Sequence, residues 1–233
     1  MLKQLFAASA IVLLSMPAMA EDAKLARTIV ISGHGEVRAA PDFVIVSLGV
    51  FKNAPTAKEA LDANTDAMNA VIAALKAAGI DAKDIQTSNF MVNPRYDYQN
   101  DGSASTPISH GFDVSNTVTA IVHKLDDVGR ILDQSVTAGA NQVNGITFGL
   151  EKAQVAADEA RKSAVMEAKR KAELLTQASG VTLGNIVTIN EGSEAQPQPQ
   201  FMMRAEASAA KDVPIAQGQQ LISADVTIIW EIK

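Results

Sequence analysis

Two stretches of the chain carry the same order of apolar and polar residues, 100 positions apart. Residues 46–60 read VSLGVFKNAPTAKEA and residues 146–160 read ITFGLEKAQVAADEA. Gly49 aligns with Gly149, Lys52 with Lys152, Glu59 with Glu159 and Ala60 with Ala160. Each copy is a short apolar strand followed by an Ala-rich helix. Each helix stops at a glycine with an aliphatic residue behind it, Gly79-Ile80 and Gly180-Val181. The next strand repeats at an offset of 101, with Ile85, Thr87 and Asn89 against Ile186, Thr188 and Asn190. A period this long marks two copies of a domain-sized unit, not a solenoid.

The same periodicities predict the remaining elements. Thr28–Val37 begins as an apolar strand and is expected to end in a glycine bend at Gly33-His34-Gly35. Phe43–Phe51 is nearly all apolar, as a strand buried on both faces would be. Thr56 is a plausible N-cap with Glu59 three residues on, the spacing of a capping box. Leu61, Met68, Val71, Ile72 and Leu75 then fall on one helical stripe, and Gly79 stands where a C′ glycine belongs. Asp81–Asp84 reads as a turn. Ile85–Tyr98 is a long strand with Phe90 and Val92 on one face, and Pro94 inside it argues for an edge or a bulge. The polar stretch 99–107, containing Asp101-Gly102, reads as a hairpin tip.

Ser109–His123 returns as an alternating strand, with Val114, Asn116, Val118, Ala120 and Val122 on one side. A short amphipathic helix follows over 126–138, with Val128, Ile131, Leu132 and Val136, and it ends at Gly139. Val143–Leu150 opens the second copy. The charged helix after it, 153–179, is expected to turn Val155, Val165, Leu174 and Leu175 inward. A strand over 184–190 and an alternating strand over 221–232 flank a polar, Pro- and Gln-rich loop, 191–219, expected to be flexible.

Helices and hairpins therefore mix, which predicts an α+β fold. It consists of two β-α-β-β units with largely antiparallel sheet, an N-terminal strand and a short connecting helix. The units cover about 43–123 and 144–232, joined by the helix over 125–139. Residues 43–150 taken alone also read β-α-β-β-α-β, the ferredoxin-like order.

The first 20 residues change the picture of where the chain works. Lys3, the apolar run Leu5–Leu14 and the small residues Ala18 and Ala20 form a secretory signal with cleavage expected after Ala20. The apolar run is too short to span a bilayer, which takes roughly 20 residues, and no later stretch is apolar enough for an integral span. Loss of Lys3 with the leader takes the net charge from −6 to −7. An acidic chain of this kind is no general nucleic-acid binder, because phosphate neutralisation needs basic excess. With no cysteine, an exported chain must draw its stability from packing, which oligomerisation can supplement, and not from disulfides. The aromatic fraction of 4% disfavours a carbohydrate site built on stacked rings.

Candidate chemistry is sparse. There is no G-x-S-x-G nucleophile elbow and no thiol. His34, His110 and His123 are the only histidines, and none has the spacing that puts two imidazoles on one helical face. They read as solvated or capping groups. Gly33-His34-Gly35 lacks both the third glycine and the following helix that a dinucleotide loop requires. Asp81, Asp84 and the pair Asp126-Asp127 are carboxylates at turns and at a helix start. Lys169-Arg170-Lys171, interleaved with Glu167 and Glu173, reads as a solvated face. Phe201, Met202 and Met203, beside Arg204, are an apolar group within a polar loop, read either as a contact point or as side chains tucked back on their own domain. No catalytic, cofactor-binding or metal-binding residue is assigned, and no cofactor is expected.

Several separated motifs, in order, carry a resemblance. These are Gly33, Gly35, Glu36, Val37, Pro41 and Asp42; Asp84-Ile85-Gln86-Thr87; Pro94, Tyr96 and Tyr98; the return strand from Val114 to Val118; and Ala138-Gly139-Ala140-Asn141. Together they resemble the SIMPL-domain family of bacterial periplasmic proteins over essentially all of the mature chain. Gly111-Phe112 departs mildly from the Gly-Tyr pair frequent in that family. The resemblance implies an exported protein of the periplasmic immunogenic or oxidative-stress-defence type, in which some members form large homo-oligomers and no catalytic residues are established. The leading expectation is a non-enzymatic periplasmic protein that self-assembles and supports envelope or oxidative-stress tolerance, with possible contacts to envelope proteins. A second class is a module binding a small molecule or an envelope protein, with 191–219 as its lid. A third is a hydrolase whose carboxylates converge with His110 or His123.

Overall fold

The computed structural model describes residues 27–98, 107–192, 198–200 and 215–233. Among them run strands β1 (Thr28–Ala39) and β2 (Phe43–Ala54), helix α1 (Ala57–Ala77), and strands β3 (Ile85–Tyr98) and β4 (Pro107–Val122). Helix α2 (Val128–Ala138), strand β5 (Gln142–Gly149) and helix α3 (Ala153–Ala178) follow. Strands β6 (Leu183–Glu191), β7 (Gln198–Gln200) and β8 (Gln219–Ile232) complete the chain. The fold is α+β, and every strand pair in it is antiparallel. The expected secretory leader and Met202-Met203 lie outside the described residues, as does 99–106, where the hairpin tip is expected.

The first sheet has the order β3-β4-β2-β5. That is the order demanded by the β-α-β-β-α-β reading of residues 43–150, with β4 inserted between the two strands that α1 connects. β5 heads the second copy of the sequence repeat, yet it hydrogen-bonds to β2. The second sheet has the order β1-β8-β6, with β7 also on β8. β1 thus stands beside β8 much as β2 stands beside β4. The loop expected over 191–219 carries a strand after all, because Gln198–Gln200 pairs with Gln219–Leu221.

The first core lies between the first sheet and the helices α1 and α2. Val44, Val46, Leu48 and Val50 alternate into it from β2, and Val114, Val118, Ala120 and Val122 from β4. The other face of β2 is half-buried, so the strand is covered on one side and not, as expected, on both. Met68, Val71 and Leu75 meet these strands from α1, whereas Leu61 of the predicted stripe is exposed. Asn64 is fully buried between them and donates from Nδ2 to the carbonyls of Val50, at 2.8 Å, and Val114, at 3.2 Å. The helix is thereby pinned to two strands at once.

Helix boundaries follow the residues predicted for them. Thr56 and Glu59 form the reciprocal capping box of α1. All three helices end the same way. The N–H of Gly79 reaches Lys76 and that of Ile80 reaches Leu75; Gly139 and Ala140, and Gly180 and Val181, repeat the pair. This is the Schellman pattern, which requires a residue at positive φ. Gly79, Gly139 and Gly180 supply it at φ 91°, 125° and 69°.

The second core differs from the sequence expectation. Val155, Val165, Leu174 and Leu175 of α3 are exposed, and the buried stripe is Ala160, Ala164, Ala168, Ala172 and Thr176. The reason lies in β1. Gly33 and Gly35 form no bend; they sit in mid-strand with their missing side chains towards α3. A Cβ on Gly33 would lie 2.0 Å from the carbonyl oxygen of Ala164, and one on Gly35 2.0 Å from that of Ala160. Helix and strand backbones are close enough that only methyl side chains fit between them. Ile222, Ala224, Val226, Ile228 and Trp230 of β8 complete this core.

Candidate functional site

Each of the three histidines meets its surroundings differently. His34 projects from the solvent face of β1. Its Nδ1 lies 2.8 Å from Asp225 Oδ1 on β8, and its Nε2 lies 3.0 Å from Glu36 Oε1. A neutral imidazole donates through one nitrogen only, so both contacts are satisfied only by the imidazolium. The hydrogen bond to Asp225, then that to Glu36, raise the His34 pKa above its ordinary value. His110 lies within β4, and its carbonyl accepts from Arg95 at 3.3 Å. His123 follows β4 and is set between two carboxylates, with Nδ1 2.9 Å from Glu151 and Nε2 3.6 Å from Asp84. His34 and His123 are each half exposed, and each faces two carboxylates that their sequence positions do not announce. Among the described residues no group of three or more potential ligands is arranged to hold a metal ion.

His123 borders a cavity of about 120 Å³ at the end of the first sheet. The C-terminal end of α1 (Ala78, Gly79), the turn carrying Asp81 and Asp84, and Asp127 and Ile131 at the start of α2 enclose it. Asp81 lies 3.9 Å from Lys83 and Asp127 lies 2.9 Å from Arg130. Asp84 is the most enclosed of the three, with its side chain 14% exposed. The cavity therefore joins Asp84 to His123, a pair suited to moving a proton to or from a bound water. No serine, threonine or cysteine side chain lines it as a nucleophile.

The sheet edges form the other candidate surface. The outer edge of β1 is shielded by α3. Glu167 accepts the His34 backbone N–H at 2.6 Å, and Lys171 donates to the Ser32 carbonyl at 3.2 Å. The His34 N–H, then Lys171, hold the Glu167 carboxyl below its usual range. This is where part of the expected solvated basic face goes: Lys171 pairs with Glu167 at 3.1 Å, and Lys169 with Glu173 at 3.8 Å. Among the described residues the edges at β3, β5 and β6 show no such cover. Phe90, Met91, Val92 and Tyr96 are exposed on β3, and Ile186, Val187 and Ile189 on β6. β3 also bulges between Ser88 and Met91, where Asn89 adopts φ 52°. A second register shift flanks Pro94, as the proline predicted. β3 and β6 are counterparts in the sequence repeat, so the likeness of these two edges could have been read from it. The shield on β1 could not, because Glu167 is 133 positions from His34.

The residues that carry the family resemblance prove to be architectural. Gly33 and Gly35 admit α3. Asp42 accepts the Glu151 N–H through its side chain at 2.8 Å, while its own N–H reaches the Gly149 carbonyl at 3.0 Å. Asn141 exchanges side-chain hydrogen bonds with both backbone groups of Phe51, each at 2.8 Å. They hold strands and connections in place, and of the residues that carry the resemblance Asp84 alone lines the cavity.

Comparison with known proteins agrees. The family model SIMPL, described as a protein of unknown function (DUF541), matches residues 29–230. The chain is 38% identical over 228 residues to the 26 kDa periplasmic immunogenic protein of Brucella melitensis biotype 1, covering 94% of this chain and 91% of that one. It is 32% identical over 210 residues to the uncharacterized protein YggE of Edwardsiella ictaluri, covering 88% and 87%. Against YggE of Escherichia coli K12 it is 32% identical over 185 residues, covering 77% and 72%. On the strength of the family model and of these relatives, the chain belongs to the SIMPL family.

Proposed function

We propose that this is a non-enzymatic periplasmic protein that self-assembles through the sheet edges at β3 and β6 and supports envelope or oxidative-stress tolerance. The observation that carries the reading is the contrast between edges. Soluble proteins blunt open strands with charge, bulges or cover. Here β1 is covered by Glu167 and Lys171, whereas β3 and β6, though each is interrupted by bulges, have no such cover among the described residues and present Phe90, 54% exposed, and Ile186, 52% exposed. Unpaired backbone flanked by large apolar side chains is a template for strand addition. The two edges are different surfaces on one chain, so pairing β3 of one copy with β6 of the next is heterologous, and such contacts close into rings or extend as filaments. The periplasmic setting is supported by the similarity to the periplasmic immunogenic protein of Brucella. The stress reading is supported by Met91 and Met166, exposed methionines in a chain without cysteine, since thioether oxidation is reversible.

Native mass spectrometry of the mature protein tests the assembly. The wild type is expected to run as a multiple of the protomer mass, and the charge substitutions F90K and I189E, made together, are expected to reduce it to a folded monomer. A monodisperse wild-type monomer at high concentration would end this reading.

A further inference from the structure

We propose that Met91 is a reversible oxidation site whose sulfoxide withdraws β3 from assembly. The inference rests on the pairing of β3 with β6 of a second copy and adds a control to it. Met91 is the single sulfur in these two strands. The chain has no thiol, so thioethers are its only sulfur groups open to oxidation. Met68 is buried in the first core, whereas Met91 is half exposed. Its neighbours Phe90 and Val92 are exposed as well.

The position in the strand decides what oxidation does. Val92 stands opposite Val114, which is buried on the helix side of β4. Side chains alternate along a strand, so Met91, opposite Ser115, lies on the face turned away from α1 and α2. A strand added at this edge sets its own side chains beside Met91 at a spacing of about 5 Å. Reduced, the thioether is an adaptable apolar filler for that contact. Oxidised, it carries a polar S=O that loses its water when the strands pair. The apolar side chains exposed on β6, Ile186, Val187 and Ile189, have no donor to offer it, and an unpartnered polar group is costly to bury. Met166 is exposed on α3, with Lys162 and Arg170 one turn away on either side. Oxidation there exchanges one solvated group for another.

The oxidant is a hydroperoxide. The sulfur lone pair attacks one peroxide oxygen, and the S–O bond forms as the O–O bond breaks. The proton of the attacked oxygen passes to the leaving one, which departs as water or an alcohol. Sulfur gives up two electrons and the peroxide takes them. A dithiol-dependent methionine sulfoxide reductase reverses the step, with the dithiol oxidised to a disulfide and the oxygen released as water.

Analytical ultracentrifugation of the full mature protein, before and after hydrogen peroxide, tests the proposal, with peptide mass spectrometry to locate the added oxygen. Met91 is expected to gain one oxygen and the dissociation constant of the assembly to rise about tenfold. Sulfoxide reductase with dithiothreitol should restore it. M91L, close to isosteric, should assemble within about threefold of the wild type and resist peroxide. M166L, and M202L with M203L, should respond as the wild type does. M91Q sets a permanent polar group at the site and should weaken assembly about tenfold with no oxidant, its circular dichroism unchanged. If M91L fails to fold, M91Q and the reductase treatment decide. A wild type that is monomeric before any peroxide ends the assembly reading and this inference with it. A wild type that assembles and keeps its dissociation constant with Met91 oxidised ends this inference alone. So does M91L dissociating under peroxide like the wild type, or M91Q assembling like it.

Discussion

His34 shows what one side chain gains from partners that the sequence keeps far away. Asp225 is 191 positions along the chain, so no local pattern pairs the two. The strand register does, placing His34 opposite Asp225 across β1 and β8. Because both carboxylates favour the imidazolium, the folded pKa lies above the unfolded one. The linked stabilisation is therefore fully present below the unfolded value of about 6.5 and is lost as pH rises through the folded value. The side chain is half exposed, so the effect is expected in a titration more than in a melting curve. A histidine-resolved NMR titration should give His34 a pKa above 6.5. D225N should lower it, and E36Q should lower it less. An unchanged His34 titration in D225N would show that the pair does not form. Asn64 illustrates the same limit. Its place on the α1 stripe is plain from spacing, yet a polar residue there reads as a break in the apolar face. Only the carbonyls of Val50 and Val114 explain it.

Elements were legible where their signals are local. The capping box at Thr56, the three glycine stops, the edge character announced by Pro94 and the alternation of β4 and β8 all arise from neighbouring residues. The inward face of α3 was not legible, because the surface that selects it belongs to another element. Against an ordinary strand, Val165 and Leu175 would be the natural core. Against Gly33 and Gly35, the helix can approach only with its alanines. This makes the two glycines far less replaceable than their position in a strand suggests. Gly33→Ala is expected to force α3 outward and to cost about 1–3 kcal/mol or more, as overpacked cores do. Gly145→Ala on β5, where a Cβ would meet nothing within 4 Å, should stay within about 0.5 kcal/mol of the wild type. Urea unfolding of the two variants measures both values. Equal midpoints would mean that the close approach of α3 contributes nothing.

On the scale of the molecule, the two sheets draw on the chain unequally. The first takes a continuous run, from Phe43 to Gly149. The second takes both ends, since Thr28 stands opposite Glu231 and Ala39 opposite Gln220. The repeat in the sequence led towards two like units, whereas the hydrogen bonds of β5 run to β2. Sequence similarity records how residues pattern, and strand exchange between sheets leaves no mark on that pattern. A fragment spanning residues 41–151 is accordingly expected to unfold cooperatively by itself in urea, followed by far-UV circular dichroism. The complementary piece, 152–233, lacks β1 and should show no cooperative transition. Loss of cooperativity in the first fragment would make the two sheets a single folding unit. The pairing of β1 with β8 also sets a schedule. Chains are made from the N-terminus, so β1 emerges before β2 to β7 and waits for a partner made after all of them. Throughout that interval it must resist mispairing with the apolar strands made between. Gly33 and Gly35 make it a poor strand former by itself, and Glu36 and Arg38 interrupt its apolar run. The glycines that admit α3 in the finished protein thus also keep the earliest strand inert until its mate arrives.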